Sequence, residues 1–417
     1  MNRYPLNAMV ASTDLATRLT DPRLVRFAEN STTGARPRPQ SLGGGAAGVA
    51  LLHIERARGG DGPWATAHTW LAAATNDDLS AGANAGLFFG APTLAFLTHA
   101  AADQPGKLAR ALATLDTATS TLTRTRLAAA HSRIDRGGRP ALAEFDLIRG
   151  LTGLGAYHLS HDPAGELTKA VLSYLVRLTH PLPDAGRGEV GLPGWWTDLA
   201  PNGARSPDFP DGHGNLGMSH GIAAPLALLS LGMLRGIVVD DHDAAIGRIC
   251  TWMDTWRQDT PSGSWWPGFI TWEQANAGRV PLSSLQRPSW CYGTPGIARA
   301  QQLAALATGD TDRQRIAEAA MLGCLRDPAQ LDRLTDSGLC HGLAGVLQAA
   351  WRMAAASPEP DLAAELPNLV DRLFTQAECS PQDPEFLDGH AGIALALHTV
   401  GADTAPLSHW DTCLLLG

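Results

Sequence analysis

Seven stretches of the chain share one pattern of apolar and polar positions. Each opens on small residues with a glycine, then continues as an alanine-rich run with apolar positions at i, i+3, i+4 and i+7. They are GAAGVALLHIE from Gly45, GAPTLAFLTHAA from Gly90, GLTGLGAYHLS from Gly150, GIAAPLALLSL from Gly221, GTPGIARAQQLAA from Gly293, GLAGVLQAAWRMA from Gly342 and GHAGIALALHT from Gly389. That period is helical. Successive starts lie 45, 60, 71, 72, 49 and 47 residues apart, the mark of an internal repeat. Further helical stretches, such as 244–256 and 313–325, lie between the starts. Each repeat therefore predicts one helical hairpin, and stacked hairpins bury a continuous core. The predicted fold is all-α: an α/α toroid of seven inner and seven outer helices, read as one domain over residues 1–417. Glycine lets the chain turn sharply into each helix and lets neighbouring helices approach. Closure of the ring would gather the glycine-rich entry loops at one end, so those loops are the expected active site.

Two gaps break the spacing. Residues 182–217 are rich in Pro and Gly and contain LPGWW, and residues 260–290 contain SWWPGFITWEQ. The second is aromatic and β-branched, with strand character. Both are expected to be long insertions forming loops, a small β-containing lid or a subdomain. The first ~40 residues, ending in RPRPQ at Arg36–Gln40, read as a partly ordered lead-in.

Composition narrows the class. Of 417 residues, 44% are apolar and 18% charged, which excludes a mostly disordered chain. The net charge of −9 argues against a general nucleic-acid binder and leaves room for a cationic substrate. Met1–Val10 lacks the pattern of a secretory signal, and Ile222–Val239, interrupted by Pro225, Ser230 and Arg235, reads as buried helix rather than a membrane span. The expected location is the cytoplasm. Six cysteines without a C-x-x-C are too sparse for a disulfide scaffold. They are read as reduced thiols, to be weighed as ligands or nucleophiles.

Two motifs carry the most specific chemistry: WCYGTPG at Trp290–Gly296 and CHGLAG at Cys340–Gly345. Cys291, Cys340 and His341 sit at the same phase of two successive repeats, just ahead of Gly293 and Gly342. Two thiolates and an imidazole on converging loops occupy three corners of a zinc tetrahedron, leaving the fourth for water or substrate. His220 immediately precedes Gly221, Asp146 lies four residues before Gly150, Arg287 four before Cys291, and His390 follows Gly389, out of phase. Taken singly, Asp146 also reads as a helix cap, Arg287 as a surface cation and His220 as a core histidine. The match of Gly217–Gly221 to G-x-S-x-G fails because no strand leads into it. The match of Gly43–Gly48 to G-x-G-x-x-G is explained by the repeat.

Through WCYGTPG, CHGLAG, NLGMSHG, FDLIRGL and the weaker tail WDTCLLL, the chain resembles the lanthionine synthetase C-like (LanC-type) cyclases. These are the stand-alone class that makes thioether rings in lantibiotics, and the resemblance runs through all seven repeats. It implies a zinc-dependent toroid with one Zn²⁺ per chain held by Cys291, Cys340 and His341. It implies acid/base positions at His220 and Asp146, positions flanking the first zinc cysteine at Arg287 and Tyr292, and a lining position at Gln348. A small inserted β domain is known in the family and matches one of the two gaps. The implied substrate is a leader-bearing precursor peptide dehydrated at Ser or Thr. Its free Cys thiolates add to dehydroalanine or dehydrobutyrine. A dehydratase and a membrane exporter are the implied partners, with peripheral membrane association through that complex. Two readings compete: a non-catalytic zinc scaffold with Cys250 or Cys324 as a fourth ligand, and addition of a small thiol such as glutathione to dehydroamino acids.

Overall fold

The computed structural model describes residues 4–25, 27, 39–103, 106–181, 191–379 and 383–417. Within that span each of the seven repeat runs is a helix: Ala46–Gly59, Ala91–Ala101, Leu151–His161, Ala223–Leu234, Thr294–Thr308, Leu343–Ala356 and His390–Ala402. These helices are buried almost all round. In the first, every residue from Ala46 to Ala57 is buried, and a helix packed on all sides has no need of a polar face. The helices between them are amphipathic. Glu166–Leu178 buries Thr168, Val171, Leu172, Leu175 and Val176 on one side.

The chain forms two compact units. The first comprises Met1–Thr119, Asp332–Cys413 and Gly417. In it Leu343–Ala356 packs on His390–Ala402, which packs on Ala46–Gly59, which packs on Ala91–Ala101. The last repeat thus lies beside the first. Trp64–Ala74 backs Ala46–Gly59, and Asp361–Cys379 backs Leu343–Ala356. The helix backing the seventh repeat comes from the start of the chain. Tyr4–Arg18 packs along His390–Ala402, where Ser12 Oγ donates to the Ala394 carbonyl at 2.7 Å. The expected lead-in therefore contains the seventh outer helix, while its segment 28–38 lies outside the described residues.

The second unit comprises Ser120–Leu331 and Leu414–Leu416. Leu151–His161, Ala223–Leu234 and Thr294–Thr308 lie side by side, backed in turn by Glu166–Leu178, His242–Trp256 and Thr311–Arg326. The two long insertions meet here. Strand His213–Asn215 pairs antiparallel with Phe269–Thr271, with His213 opposite Thr271 and Asn215 opposite Phe269. A second ribbon pairs Gln258–Thr260 with Gly263–Trp265. The strand character read across FITWEQ ends at Thr271, whose hydroxyl and Gln274 form a capping box that starts helix Trp272–Ala277. Residues 182–190 of the first insertion lie outside the described residues. Among the described residues no helix is long and apolar enough to cross a membrane.

Two glycines give opposite expectations for stability. A Cβ on Gly401 would lie 2.8 Å from the backbone nitrogen of Met9, so Gly401→Val should push the N-terminal helix off the seventh repeat and cost about 1–3 kcal/mol. Gly247, in helix His242–Trp256, has nothing within 4 Å of that position, so Gly247→Ala should stabilise by about 0.5–1 kcal/mol. Thermal melting of the two variants checks both signs.

Candidate active site

Asp146 ends the short helix Leu142–Phe145 and is fully buried. Its Oδ1 accepts the backbone N–H groups of Arg149 at 2.7 Å and Gly150 at 2.8 Å, which folds residues 146–150 into a tight turn. Its Oδ2 accepts from His220 Nδ1 at 2.7 Å. One carboxylate thus caps the turn with one oxygen and holds an imidazole with the other. Because Nδ1–H faces the carboxylate, the lone pair of the neutral ring is on Nε2. The His220 side chain is 28% exposed, so the ring reaches solvent while its anchor does not. Arg149 Nε lies 3.9 Å from the same Oδ2, and Arg126 donates to the Arg149 carbonyl.

The His220 loop is tied to the Cys291 loop. Met218 N–H donates to the Cys291 carbonyl at 2.9 Å, and Leu147 N–H to the Ser219 carbonyl at 3.2 Å. Cys291 is buried, its Sγ 3.5 Å from Ser289 Oγ. Gly293 has φ +146°, and a Cβ there would sit within 3.0 Å of the Arg287 carbonyl, so residues 287–293 can fold back only with glycine at that corner. Arg287 is half-buried on this loop. The Tyr292 ring lies 6.5 Å from that of His220, and its Oη accepts from Asn215 Nδ2 at 3.0 Å. Burial pushes the Tyr292 phenol up to about 12.

In the first unit, Cys340 N–H donates to the Leu387 carbonyl at 2.8 Å, which brings the CHGLAG loop against LDGHAG. There His341 Nδ1 meets Asp388 Oδ1 at 3.0 Å, leaving Nε2 3.6 Å from Cys340 Sγ. A carboxylate on one ring nitrogen is the usual way a histidine ligand is oriented. Bonds of about 2.3 Å to sulfur and 2.05 Å to nitrogen at a tetrahedral angle place the two ligand atoms about 3.6 Å apart. The spacing of this pair therefore fits a shared tetrahedral zinc. Cys291, the third ligand the sequence implies, lies in the second unit. Cys250 and Cys324 are both buried, with thiols pushed up to about 12 by desolvation. Nearby in sequence, burial and the charges of Asp383 and Asp388 push the Glu385 carboxyl up to about 7.

Gln348 is fully buried and donates from Nε2 to Asp411 Oδ2 at 2.7 Å, where Arg352 also binds at 2.6 and 2.7 Å. It thus grips the WDTCLLL tail. His390 is buried at the start of its helix. Sequence reasoning passed over His213, Asn215, Asp388 and Asp411. Asn215 and Asp388 lie inside motifs already singled out, NLGMSHG and LDGHAG, and their polar character next to histidines was the available signal.

His213 gives a pH expectation. Burial drops its imidazole to about 4, against about 6.5 in an unfolded chain. Its neutral form stabilises the fold fully above pH 6.5, and that stability is lost as pH falls towards 4, by up to about 3 kcal/mol. Urea unfolding from pH 7 to 4 should show this decline, and His213→Gln should lessen it, with the part due to buried His53 remaining.

The family described as Lanthionine synthetase C-like protein matches residues 36–415. The nisin biosynthesis protein NisC of Lactococcus lactis subsp. lactis is 21% identical over 280 residues, 66% of this chain. The match spans 64% of that relative's length. A solved structure titled nisin cyclase matches with a TM-score of 0.78 and 18% identity over 98% of both chains. That likeness shows the fold, a helical toroid. With all seven repeat runs inside the matched span, the chain belongs to the lanthionine synthetase C-like family.

Proposed function

We propose that the protein is a zinc-dependent lanthionine cyclase acting on a dehydrated precursor peptide. The observation that carries this reading is the Cys340–His341 pair, its imidazole oriented by Asp388 and its Nε2 3.6 Å from Sγ, with Cys291 as the third ligand by its repeat phase and the family resemblance. Three protein ligands leave one tetrahedral position for a substrate, the pattern of a working zinc site rather than a closed structural one. Zinc held there would favour the thiolate form of a substrate cysteine, the nucleophilic form.

The remaining steps belong to the chain's own residues. The substrate sulfur uses its electron pair to form a C–S bond at the β-carbon of dehydroalanine or dehydrobutyrine. The C=C pair moves onto the adjacent carbonyl as an enolate. His220 Nε2 delivers a proton to the α-carbon, and the proton released by the thiol restores the imidazolium through solvent. Asp146, bonded to Nδ1, fixes the ring and stabilises its charged form, which makes it the positioning residue of the pair. Arg287, carried over from the family resemblance, is assigned the developing enolate charge. Gln348 acts at one remove through Asp411. The leader-bearing precursor, a dehydratase, an exporter and a cytoplasmic setting belong to the same reading.

Purified protein should carry about one zinc per chain and close thioether rings in a peptide containing dehydroalanine and cysteine. His220→Ala should keep the zinc and lose about 10²–10⁴ in ring closure. Asp388→Asn should weaken zinc binding about 10–100-fold. Ring closure by His220→Ala at the wild-type rate, or a protein that binds no zinc, would sink the reading. Conjugation of glutathione without ring closure would redirect it to small-thiol addition.

A further inference from the structure

Tyr292 faces His220, and its Oη is met by a buried donor. Asn215 is fully buried between strand His213–Asn215 and the turn leading to His220. Its Oδ1 accepts from Gly217 N–H at 3.0 Å. Its Nδ2 reaches His213 Nε2 at 3.3 Å and Tyr292 Oη at 3.0 Å. His213 Nδ1 faces the Leu199 carbonyl at 2.7 Å, an acceptor only, so Nδ1 carries the ring proton and Nε2 must accept. Burial keeps that ring neutral. Every atom of the Asn215 amide is therefore assigned: one N–H to His213, the other to Tyr292, the oxygen to Gly217. The buried Ser219 hydroxyl, which has no other bond among the described residues, is a further neighbour of the phenol oxygen.

We infer that Asn215 is a positioning residue that holds Tyr292 Oη as an acceptor, so that the phenolic O–H is presented to the substrate carbonyl and donates to the enolate oxygen. The chain of direction runs Leu199 carbonyl, His213, Asn215, Tyr292, with the protons placed as far as the phenol oxygen. With Asn215 Nδ2 donating to Oη, the phenolic O–H is left with Ser219 Oγ or the outward direction, and a Ser219 hydroxyl that donates to Oη leaves only the outward one. The assignment of donor direction stands on the hydrogen bonds alone. The enolate as recipient rests on the proposed function.

Asn215→Asp tests this, since a carboxylate of the same shape cannot donate to Tyr292 and would instead take its O–H. The titratable groups facing the introduced carboxyl are His213 and Tyr292. Ring closure of a peptide with one dehydroalanine and one cysteine, read against wild type at each pH, should fall about tenfold or more near pH 8. It should recover as pH falls and the carboxyl protonates, becoming a donor again. In a Tyr292→Phe background the same substitution should cost nothing further. Tyr292→Phe alone should lower kcat about 10²-fold with KM and zinc content unchanged. The ¹³Cζ resonance of labelled Tyr292 should follow the titration of the introduced carboxyl. Equal cost of Asn215→Asp in both backgrounds overturns the inference, as does wild-type kcat in Tyr292→Phe, which also serves if the first variant does not fold. A Tyr292 resonance blind to that titration overturns the donor direction itself. A resonance that responds in a protein that closes no rings overturns the enolate role together with the thioether reading, and leaves the donor direction standing.

Discussion

The constraint on which the site depends is the missing Cβ at the repeat glycines. At Gly150, Gly221, Gly293, Gly342 and Gly389 a methyl group would sit within 3.0 Å of backbone belonging to the loop just before it. Each loop folds back on its own helix start, and only glycine permits it. The residues proposed for chemistry ride on these folded loops: Asp146 before Gly150, His220 before Gly221, Cys291 and Tyr292 before Gly293, Cys340 and His341 before Gly342, Asp388 before Gly389. Repetition of one tight turn thus delivers different side chains from equivalent places, each aimed by the same local geometry. The buried, alanine-rich helices behind the turns make that aim rigid, because close-packed helices leave a turn little room to shift.

Burying a carboxylate is expensive unless its oxygens are met. Asp146 meets the cost with two backbone N–H groups and an imidazole. Asp411 meets it with Arg352 and Gln348. The two solutions have different consequences. Asp411 is enclosed by donors that hold a tail in place, and its partner Gln348 has no exposure through which to touch a peptide. Asp146 shares its second oxygen with a ring that reaches solvent, so a buried acceptor orients a group open to substrate. The distinction lies in the partner's exposure rather than in the acid.

Much of this was legible in sequence because it is local. The helices could be read from period and the turns from glycine, and the shared phase of Cys291 and Cys340–His341 marked them as candidate ligands. Asp146 read equally as a cap or an acid/base residue, and the ambiguity was physical: one oxygen caps the turn and the other accepts from His220. What the sequence hid was non-local. The outer helix of the seventh repeat lies at the opposite end of the chain, in Tyr4–Arg18, where pairing each run with the next stretch of chain cannot find it. Asp388 as the partner of His341 depends on the Cys340–Leu387 backbone bond, which joins two repeats 47 residues apart. The equivalent places of His341 before Gly342 and Asp388 before Gly389 hint at that pairing, but only the folded loops show that they touch.

The two insertions show why such non-local parts are retained. Neither is helical at the point that matters. His213–Asn215 comes from the first and Phe269–Thr271 from the second, and each supplies the backbone partner the other lacks. The adjoining loop is bonded to the same layer, with Leu216 N–H on the Gly268 carbonyl and Ile222 N–H on the Asn215 carbonyl. A three-residue strand has too few hydrogen bonds to persist alone. Paired, it clamps both ends of the NLGMSHG segment, so the Asn215 side chain and the His220 ring are held from one rigid base. The ribbon is therefore a brace for the site: its register, set by Asn215 opposite Phe269, decides which face the amide takes, and a slip of one residue would turn that amide away from Tyr292.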